Sequence, residues 1–271
     1  MTAMAQQDDF LRRSHLLLAG GGMNYIGDLN NQSAFGTPDV AYGFGLRTRI
    51  DNRWAVRYEA TKGSVHSDDW LELRNLSFRS DIYEATVLFE FSFWNFGAGA
   101  TDKPWAFYLF GGFGVFWFDP MASYIDADGS EQWVRLQPLH TEGQGSLEYP
   151  DRKPYRQLQM NLPFGVGVKM RLGKAFSLNI DYGFRKTWTD YLDDVSTTYV
   201  GATVLSQNAI DPEMAVRMGD RSGEAVEGYV NAPGIKRGDD SLDDWYACMH
   251  LSLGISLETL LGWTRSKRCK L

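Results

Sequence analysis

The sequence predicts an all-β fold, an eight-stranded antiparallel transmembrane β-barrel of the outer membrane with short periplasmic turns and long extracellular loops. Three observations predict it. Eight segments alternate apolar and polar residues with the period of two that a strand requires. The connections between them alternate between short and long, as in outer-membrane barrels. Trp and Tyr residues lie near the segment ends, where such barrels carry their aromatic girdles.

The eight predicted strands differ in how clearly they alternate. In residues 81–93 the odd positions from Tyr83 to Phe93 are apolar, whereas Glu84 and Glu90 occupy even positions. Residues 105–118 are apolar on both faces, with Gly112 and Gly114 on the side expected to be crowded. Residues 15–26 are rich in glycine, and their apolar face consists of Leu17, Ala19, Met23 and Tyr25. In chain order the segments are 15–26, 40–50, 54–63, 81–93, 105–118, 162–172, 176–185 and 245–257.

The predicted connections form two groups by length. Turn residues fill the short ones at 51–53, 97–104 and 173–175. The longer ones, expected at the opposite end of the barrel, are 27–39, 64–80, 119–160 and 189–243. Trp188 and Tyr191 are expected near the membrane interface, where the last long loop begins.

Alternation alone does not say which face points inward, because a soluble lipocalin-like barrel has an apolar interior. Bulky apolar faces, polar faces rich in glycine and charge, and tryptophans near strand ends favour the membrane version. An interior of eight strands is only wide enough to be filled by side chains, which predicts a plugged scaffold. The predicted interior charges, which can pair with one another, are Arg47, Arg49, Arg57, Glu59, Glu84, Glu90, Lys169, Arg171, Asp181 and Arg185.

The chain divides into three predicted parts. Residues 1–13 form a signal-peptide remnant and N-terminal segment, since Ala3-Met4-Ala5 before Gln6 has the small-x-small form of a signal-peptidase site. The barrel is predicted over residues 14–258. Residues 259–271 form a basic C-terminal tail. An accidental match to the cleavage pattern remains the alternative for the first part.

Composition excludes some classes of function. The formal charge of −7 argues against binding to nucleic acid, which requires a concentrated excess of Lys and Arg. The two cysteines, Cys248 and Cys269, form no CxxC and no zinc-type spacing, and a disulfide between them is not implied.

The acidic residues that follow Trp188 pose the question of a metal or acid/base site. Asp190, Asp193 and Asp194 could supply oxygen ligands, but they lack a ligand series of defined spacing. The run Asp126-Ala127-Asp128-Gly129 begins like a calcium loop, lacks its closing Glu, and is better explained as a hairpin tip. We therefore predict no metal, no cofactor and no catalytic residue.

An outer-membrane enzyme stays open as an alternative because four histidines are present, His15, His66, His140 and His250. A nucleophile, a base and an acid must converge in space, which a sequence does not show. The motifs G-x-S-x-G, H-E-x-x-H and the phosphate-binding P-loop are absent from the sequence.

Several words of the sequence, in order, carry a more specific signal: NYIGDLN (24–30), NLSFRSDIYE (75–84), YLFGGFGVFWFDP (108–120), LQPLHTEGQG (136–145), YPDRKPY (149–155), PFGVGVKM (163–170), YGFRKTWTDYLDDVSTTYV (182–200) and DDWYACMHLSLGISL (243–257). Together they resemble the PorG-like outer-membrane barrel family of the type IX secretion system. The resemblance runs from about residue 20 to 257. The chain departs from the usual aromatic ending of a membrane barrel by continuing through Trp263 into the basic tail.

The resemblance implies a non-enzymatic barrel, surrounded by outer-membrane lipid, that associates with a periplasmic ring of a PorK-like lipoprotein and a PorN-like protein. Protein secretion would depend on that assembly. A periplasmic partner could reach the short turns and the C-terminal tail. The candidate partner-binding residues are Asn52, Arg53, Asp102, Lys103, Lys174, Trp263, Arg265, Lys267 and Arg268.

Overall fold

The fold is seen in a computed structural model, which describes residues 10–30, 38–96 and 103–261. Nine strands lie in this part of the chain: β1 (Ser14–Ile26), β2 (Asp39–Arg49), β3 (Trp54–Asp68), β4 (Ser77–Ser92), β5 (Trp105–Ile125), β6 (Glu131–Arg135), β7 (Leu158–Leu172), β8 (Phe176–Thr187) and β9 (Trp245–Ser256). A 3-10 helix covers Gln137–Leu139. Three short helices precede β9: α1 (Ala202–Asn208), α2 (Pro212–Gly219) and α3 (Ser222–Ala225).

Eight of these strands close into an antiparallel barrel in the order β1, β2, β3, β4, β5, β7, β8 and β9. Pairing of β1 with β9, from His15 opposite Ser256 to Ile26 opposite Trp245, joins the first strand to the last. The predicted fold class is confirmed. Strand β6 lies outside the closed wall and forms a hairpin with the far end of β5. Its turn contains Gly129 at φ +84°, which confirms the predicted hairpin tip.

Side-chain directions distinguish a membrane barrel from a lipocalin-like one. Apolar residues such as Phe44, Phe89, Val115 and Ile180 point outward and are about half exposed. The lipocalin-like alternative is therefore wrong, because its outer surface would be polar. Residues 10–13 and 257–261 are helical, but no helix in the described ranges has the length and apolarity to cross a membrane.

Two aromatic belts bound the apolar exterior. Trp54, Trp94 and Trp105 lie at the end that carries the short turns, and Trp117, Trp188 and Trp245 lie at the other. The stretch of β5 from Trp105 to Trp117 rises by roughly 30 Å at a tilt of about 40°, about the thickness of a hydrocarbon core. An antiparallel barrel with this surface belongs to the bacterial outer membrane.

Strand β1 departs from the pattern of its neighbours. Leu17, Met23 and Tyr25 are almost fully buried and face the interior, whereas Leu18 points outward. The apolar face read from this strand is thus a lumen face. It packs against other interior residues, so the exterior of β1 is left to small and medium side chains, including Gly20 and Gly22.

The strands also extend further at the long-loop end than predicted. Strands β3 and β4 pair as far as Asp68 opposite Ser77, which leaves residues 69–76 as their loop. Both added stretches, 64–68 and 77–80, are mostly polar, so they had the composition of a loop. Cross-strand backbone hydrogen bonds hold them as strands instead.

The long loops fold together into a cap over the barrel mouth. The core of the cap contains Leu29, Leu76, Leu139, Leu192, Val195, Leu205 and Met218, continuous with interior residues Met23, Tyr25 and Phe116 of the barrel. Residues from all four long connections therefore share one apolar core, which closes this end of the lumen.

Candidate functional site

The short-turn end holds the described members of the candidate partner-binding set. Asn52 and Arg53 lie in the β2–β3 turn, Lys174 in the β7–β8 turn, and Lys103 directly before β5. Asp102, Trp263, Arg265, Lys267 and Arg268 lie outside the described residues. The four described residues therefore share one end of the barrel.

The β2–β3 turn is fixed by its own acidic residue. The Asp51 carboxylate accepts hydrogen bonds from the backbone N–H groups of Arg53 at 2.7 Å and Trp54 at 2.8 Å. These bonds favour the charged form and lower the pKa of Asp51 below its usual range. The carboxylate is thereby occupied within the turn, which presents Asn52 and Arg53 to solvent.

A concave site of about 630 Å³ lies beside this turn, lined by Arg13, Arg49, Ile50, Asp51, Asn52, Arg53, Trp54 and Asn95. Two of its arginines donate to uncharged acceptors. Arg13 donates to the Ile50 carbonyl at 3.1 Å, and Arg53 donates to the Asn95 side-chain oxygen at 3.4 Å.

Lys103 lies at the lipid-facing rim of the same end. Its ammonium group is 4.7 Å from the centroid of the Trp94 ring, a cation–π contact, and the Trp94 indole donates to the Trp105 carbonyl. Trp94 and Trp105 also pack edge to face, with centroids 4.5 Å apart. Each of the two rings at the rim therefore contacts another group that fixes its position.

The first of two ion-paired groups in the lumen contains six of the ten predicted interior charges. Arg57 is its centre, with Glu90 at 3.2 Å, Glu59 at 3.4 Å and Asp181 at 3.1 Å. Arg47 at 3.0 Å and Lys169 at 3.3 Å also contact Glu90.

A second group lies nearer the long-loop end. Arg185 is 3.4 Å from Glu84, which also accepts hydrogen bonds from Asn161 and Tyr246. Arg49 and Arg171, the other two predicted interior charges, are half-buried near the short-turn mouth.

Large side chains fill the space between these charges. Tyr108 donates to Asp181 at 3.0 Å, and Phe110 stacks beneath the Arg57 guanidinium, 5.1 Å away. Phe116 and Tyr246 pack across the lumen nearer the cap. Together with the cap, this packing leaves the barrel as a filled scaffold, as expected for eight strands.

Buried polar groups connect the loops of the cap, and the sequence patterns did not predict them. Glu142 accepts hydrogen bonds from the backbone N–H groups of Ser196 and Thr197 and pairs with Arg237 at 3.0 Å. Arg74 donates to the carbonyls of Arg237 and Asp28. These contacts join four separate loops. Polar residues in loops carry no periodic signal, so their burial was not predictable from spacing.

The aspartates after Trp188 belong to this buried system. Tyr25 of β1 contacts Asp193 at 2.6 Å and Asp244 at 2.9 Å through its hydroxyl. Burial raises the pKa of Asp193 to about 8 and that of Asp194 to about 6, and it raises the pKa of Asp244 as well. The Tyr25 hydroxyl has one proton and can donate it to only one of the two carboxyl groups. The other contact therefore requires that a carboxyl group keeps a proton of its own.

These aspartates hold the cap to the barrel. Asp193 also accepts a hydrogen bond from the Val195 N–H, and Asp244 accepts one from the Leu192 N–H. Asp194 accepts a hydrogen bond from the Tyr155 hydroxyl. Within the described ranges, no group of three or more His, Cys, Asp or Glu is arranged to hold a metal ion. Tyr191, expected at the membrane interface, instead stacks on Tyr155 inside the cap.

The histidines are separated from one another. His66 lies on the outside of the barrel, 2.7 Å from Asp39, and His140 lies in the cap beside Asn208. His15 faces the lumen near the short-turn end. His250 contacts the free thiol of Cys248 at 3.1 Å within the filled lumen. A substrate would have no open path to that pair.

Comparison with known proteins gives a family match over part of the chain. Residues 11–138 match the family described as a domain of unknown function, DUF6089. This range contains β1 to β6 and the 3-10 helix that follows them. No curated protein matched the sequence.

Solved structures with similar overall architecture are outer-membrane and surface proteins of low identity. Ail, the attachment invasion locus protein of Yersinia pestis, is 9% identical, with 89% of this chain and 96% of that chain covered at a TM-score of 0.40. Neisserial surface protein A is 10% identical, with 90% and 96% covered at 0.43. OprG from Pseudomonas aeruginosa is 12% identical, with 89% and 93% covered at 0.37.

Proposed function

We propose that this barrel is a non-enzymatic membrane anchor for a periplasmic assembly of the type IX protein secretion machinery. Its partners in this proposal are a PorK-like lipoprotein and a PorN-like ring protein, and its surroundings are outer-membrane lipid. The observation that carries the proposal is the contrast between the two ends. Among the described residues, the filled lumen and the folded cap leave no open path through the barrel. The short-turn end, in contrast, presents an exposed basic surface.

Two further points support this function over an enzymatic one. The described histidines are dispersed, and the one buried His–Cys contact lies in a filled lumen. The type IX secretion machinery is proposed because of the PorG-like sequence segments, such as residues 108–120 and 182–200.

Site-specific photo-crosslinking in cells tests the proposal. One probe replaces Lys103 at the short-turn end, and a matched probe replaces Ile210, which is 86% exposed in the cap. We expect a crosslink from position 103 to a periplasmic lipoprotein or ring protein, and no crosslink to that protein from position 210. Crosslinks to such a partner from position 210 alone would overturn the anchoring role of the short-turn end.

A further inference from the structure

The outer surface of the barrel has a depression between β2 and β5. Ala60 of β3 and Ala85 of β4 lie directly opposite each other, and they are flanked by Phe44 and Val115 on the neighbouring strands. The small side chains leave a concave site of about 520 Å³, within the range of roughly 300 to 1,000 Å³ that is typical of ligand sites. We call it the alanine groove. Its walls are the outward-facing side chains of Leu18, Tyr42, Phe44, Lys62, Tyr83, Val115, Trp117 and Leu158.

The lining of the alanine groove suits a hydrocarbon chain. Apart from Lys62 at the rim, the outward-facing side chains that line it are aliphatic or aromatic. In a bilayer no water is displaced from such a surface, so selective binding depends on van der Waals contacts. A depression with two alanines as its floor surrounds an acyl chain on three sides and increases those contacts.

The groove lies in the half of the bilayer next to the cap. Tyr83 and Trp117 are opposite each other on β4 and β5, with ring centroids 5.7 Å apart. Trp117 belongs to the aromatic belt at the long-loop end, so this pair marks the edge of the hydrocarbon layer. Ala85 follows Tyr83 by two residues on the side of the short turns, which places the floor of the groove within the hydrocarbon layer.

Basic side chains lie on the same outward face, at the rim of the groove and above it. Lys62 is 4.9 Å from the centroid of the Tyr83 ring and 3.9 Å from Asp81, in a partly exposed pair. Arg79 lies four residues from Tyr83 on β4, which is roughly 10 Å closer to the cap at a tilt of about 40°. Arg79 is exposed, and its guanidinium has no ion pair or hydrogen bond among the described residues.

The carboxylates that β4 and β5 carry on this face have basic partners. Asp81 has Lys62, and Asp119, directly opposite Asp81 on β5, pairs with Arg135 at 2.8 Å. Neither carboxylate is paired with Arg79. The positive charge of Arg79 is therefore the one on this face that a ligand can neutralise.

From these observations we propose that the alanine groove binds lipid A, the phosphorylated glycolipid of the outer leaflet, with an acyl chain on its floor and a phosphate at Arg79. The headgroup layer extends roughly 5 to 8 Å beyond the hydrocarbon edge, which places a lipid phosphate between the levels of Tyr83 and Arg79. A guanidinium donates two parallel N–H groups to phosphate oxygens. The occupant is lipid A because the long loops place the cap, and with it this half of the barrel, at the cell surface. The inference goes beyond the anchoring role and does not depend on it.

Native mass spectrometry of the full chain, purified in detergent and titrated with lipid, tests the inference. The probes are bisphosphorylated lipid A, dephosphorylated lipid A and phosphatidylglycerol. Ala60→Phe fills the groove, and Val56→Phe, on the same face of β3 nearer the short turns, is its control. Arg79→Gln removes the phosphate contact, and Lys153→Gln, exposed in the cap, removes the same charge elsewhere. Heat-modifiable migration on a gel shows that each variant retains a folded barrel.

We expect Ala60→Phe and Arg79→Gln each to weaken the binding of bisphosphorylated lipid A by at least about fivefold, and each control by less than about twofold. Dephosphorylated lipid A should bind the native chain and Arg79→Gln equally, because it lacks the group that Arg79 contacts. Equal losses in test and control variants, or no lipid A retained by the native chain, would overturn the proposal. Phosphatidylglycerol bound as tightly as lipid A would assign the groove to any anionic lipid and would also overturn it. A dimer of the chain that lipid A does not displace and that Ala60→Phe abolishes would assign the groove to a second copy instead.

Discussion

Tyr25 and its two carboxylate partners are the residues whose chemistry depends most on their surroundings. Asp193 and Asp244 are buried beside one another, so ionising both would place two negative charges in a region of low dielectric constant. The raised pKa of Asp193 is a direct result of that burial. The native state keeps a proton there that the unfolded chain releases.

This proton makes stability depend on pH. Because the pKa of Asp193 is about 8 in the native state and about 4 when unfolded, the native state binds more protons between these values. The free energy of unfolding should therefore fall as the pH rises from about 4 to about 8, and level off above. Asp193→Asn should flatten this fall and stabilise the protein at pH 8 by on the order of 1 to 3 kcal/mol.

Urea unfolding in detergent at pH 5, 7 and 9, followed by gel migration, measures the effect. Asp151→Asn, at an exposed position in the cap, is the control and should leave the native pH dependence unchanged. Parallel curves for Asp193→Asn and the native chain would show that Asp193 keeps no proton in the folded cap.

At the scale of single elements, both faces of β5 are apolar, and its glycines distinguish the face that points inward from the face that points outward. A Cβ on Gly112 would lie 2.0 Å from the Val87 carbonyl oxygen, whereas one on Gly111 would have its nearest neighbour at 3.9 Å. Adjacent glycines thus face a crowded interior and an open exterior. The sequence predicts that Gly112 lies on the crowded side, because it follows Phe110 by two residues and alternate residues of a strand share one face.

Gly112→Ala should destabilise the barrel by about 1 to 3 kcal/mol, since the new methyl group forces the β4–β5 backbones apart. Gly111→Ala should change stability by less than about 0.5 kcal/mol, because its methyl group meets lipid. Urea titration at one pH compares the two variants. Equal effects from both substitutions would contradict the inward orientation of Gly112.

Other elements show where sequence patterns stop being informative. Strand β4 alternated clearly, and its Glu84 and Glu90 are buried in the lumen. Strand β1 alternated too, yet a period of two does not distinguish Leu17 facing inward from a residue facing lipid. The cap is held by contacts such as that of Glu142 with Arg237. These two residues are 95 positions apart in the sequence, so no local pattern predicts their contact.

At the scale of the whole molecule, the two ends should face different compartments. The aromatic belts, the short turns and the long loops of the cap together predict an extracellular cap and periplasmic turns. Leu147, 96% exposed in the cap, and Asn52, exposed in the β2–β3 turn, are suitable reporters. Neither position is part of the buried network.

Leu147→Cys should react with a membrane-impermeant maleimide in intact cells, and Asn52→Cys only after the outer membrane is permeabilised. Both variants are made with Cys269→Ser so that Cys248, which is buried, is the remaining native cysteine. The unsubstituted Cys269→Ser chain gives the background. Labelling of Asn52→Cys in intact cells would invert the topology and move the short-turn end to the cell surface.

The Tyr25 contact also sets an order of events during biogenesis. Tyr25 belongs to the first strand, while Asp193 and Asp244 belong to the connection before the last strand. Until β1 meets β9 along the seam, both carboxylates remain hydrated and charged, and the last loop has no docking site. Docking of the last long loop through Asp193 and Asp244 therefore requires that the seam between the first and last strands has closed.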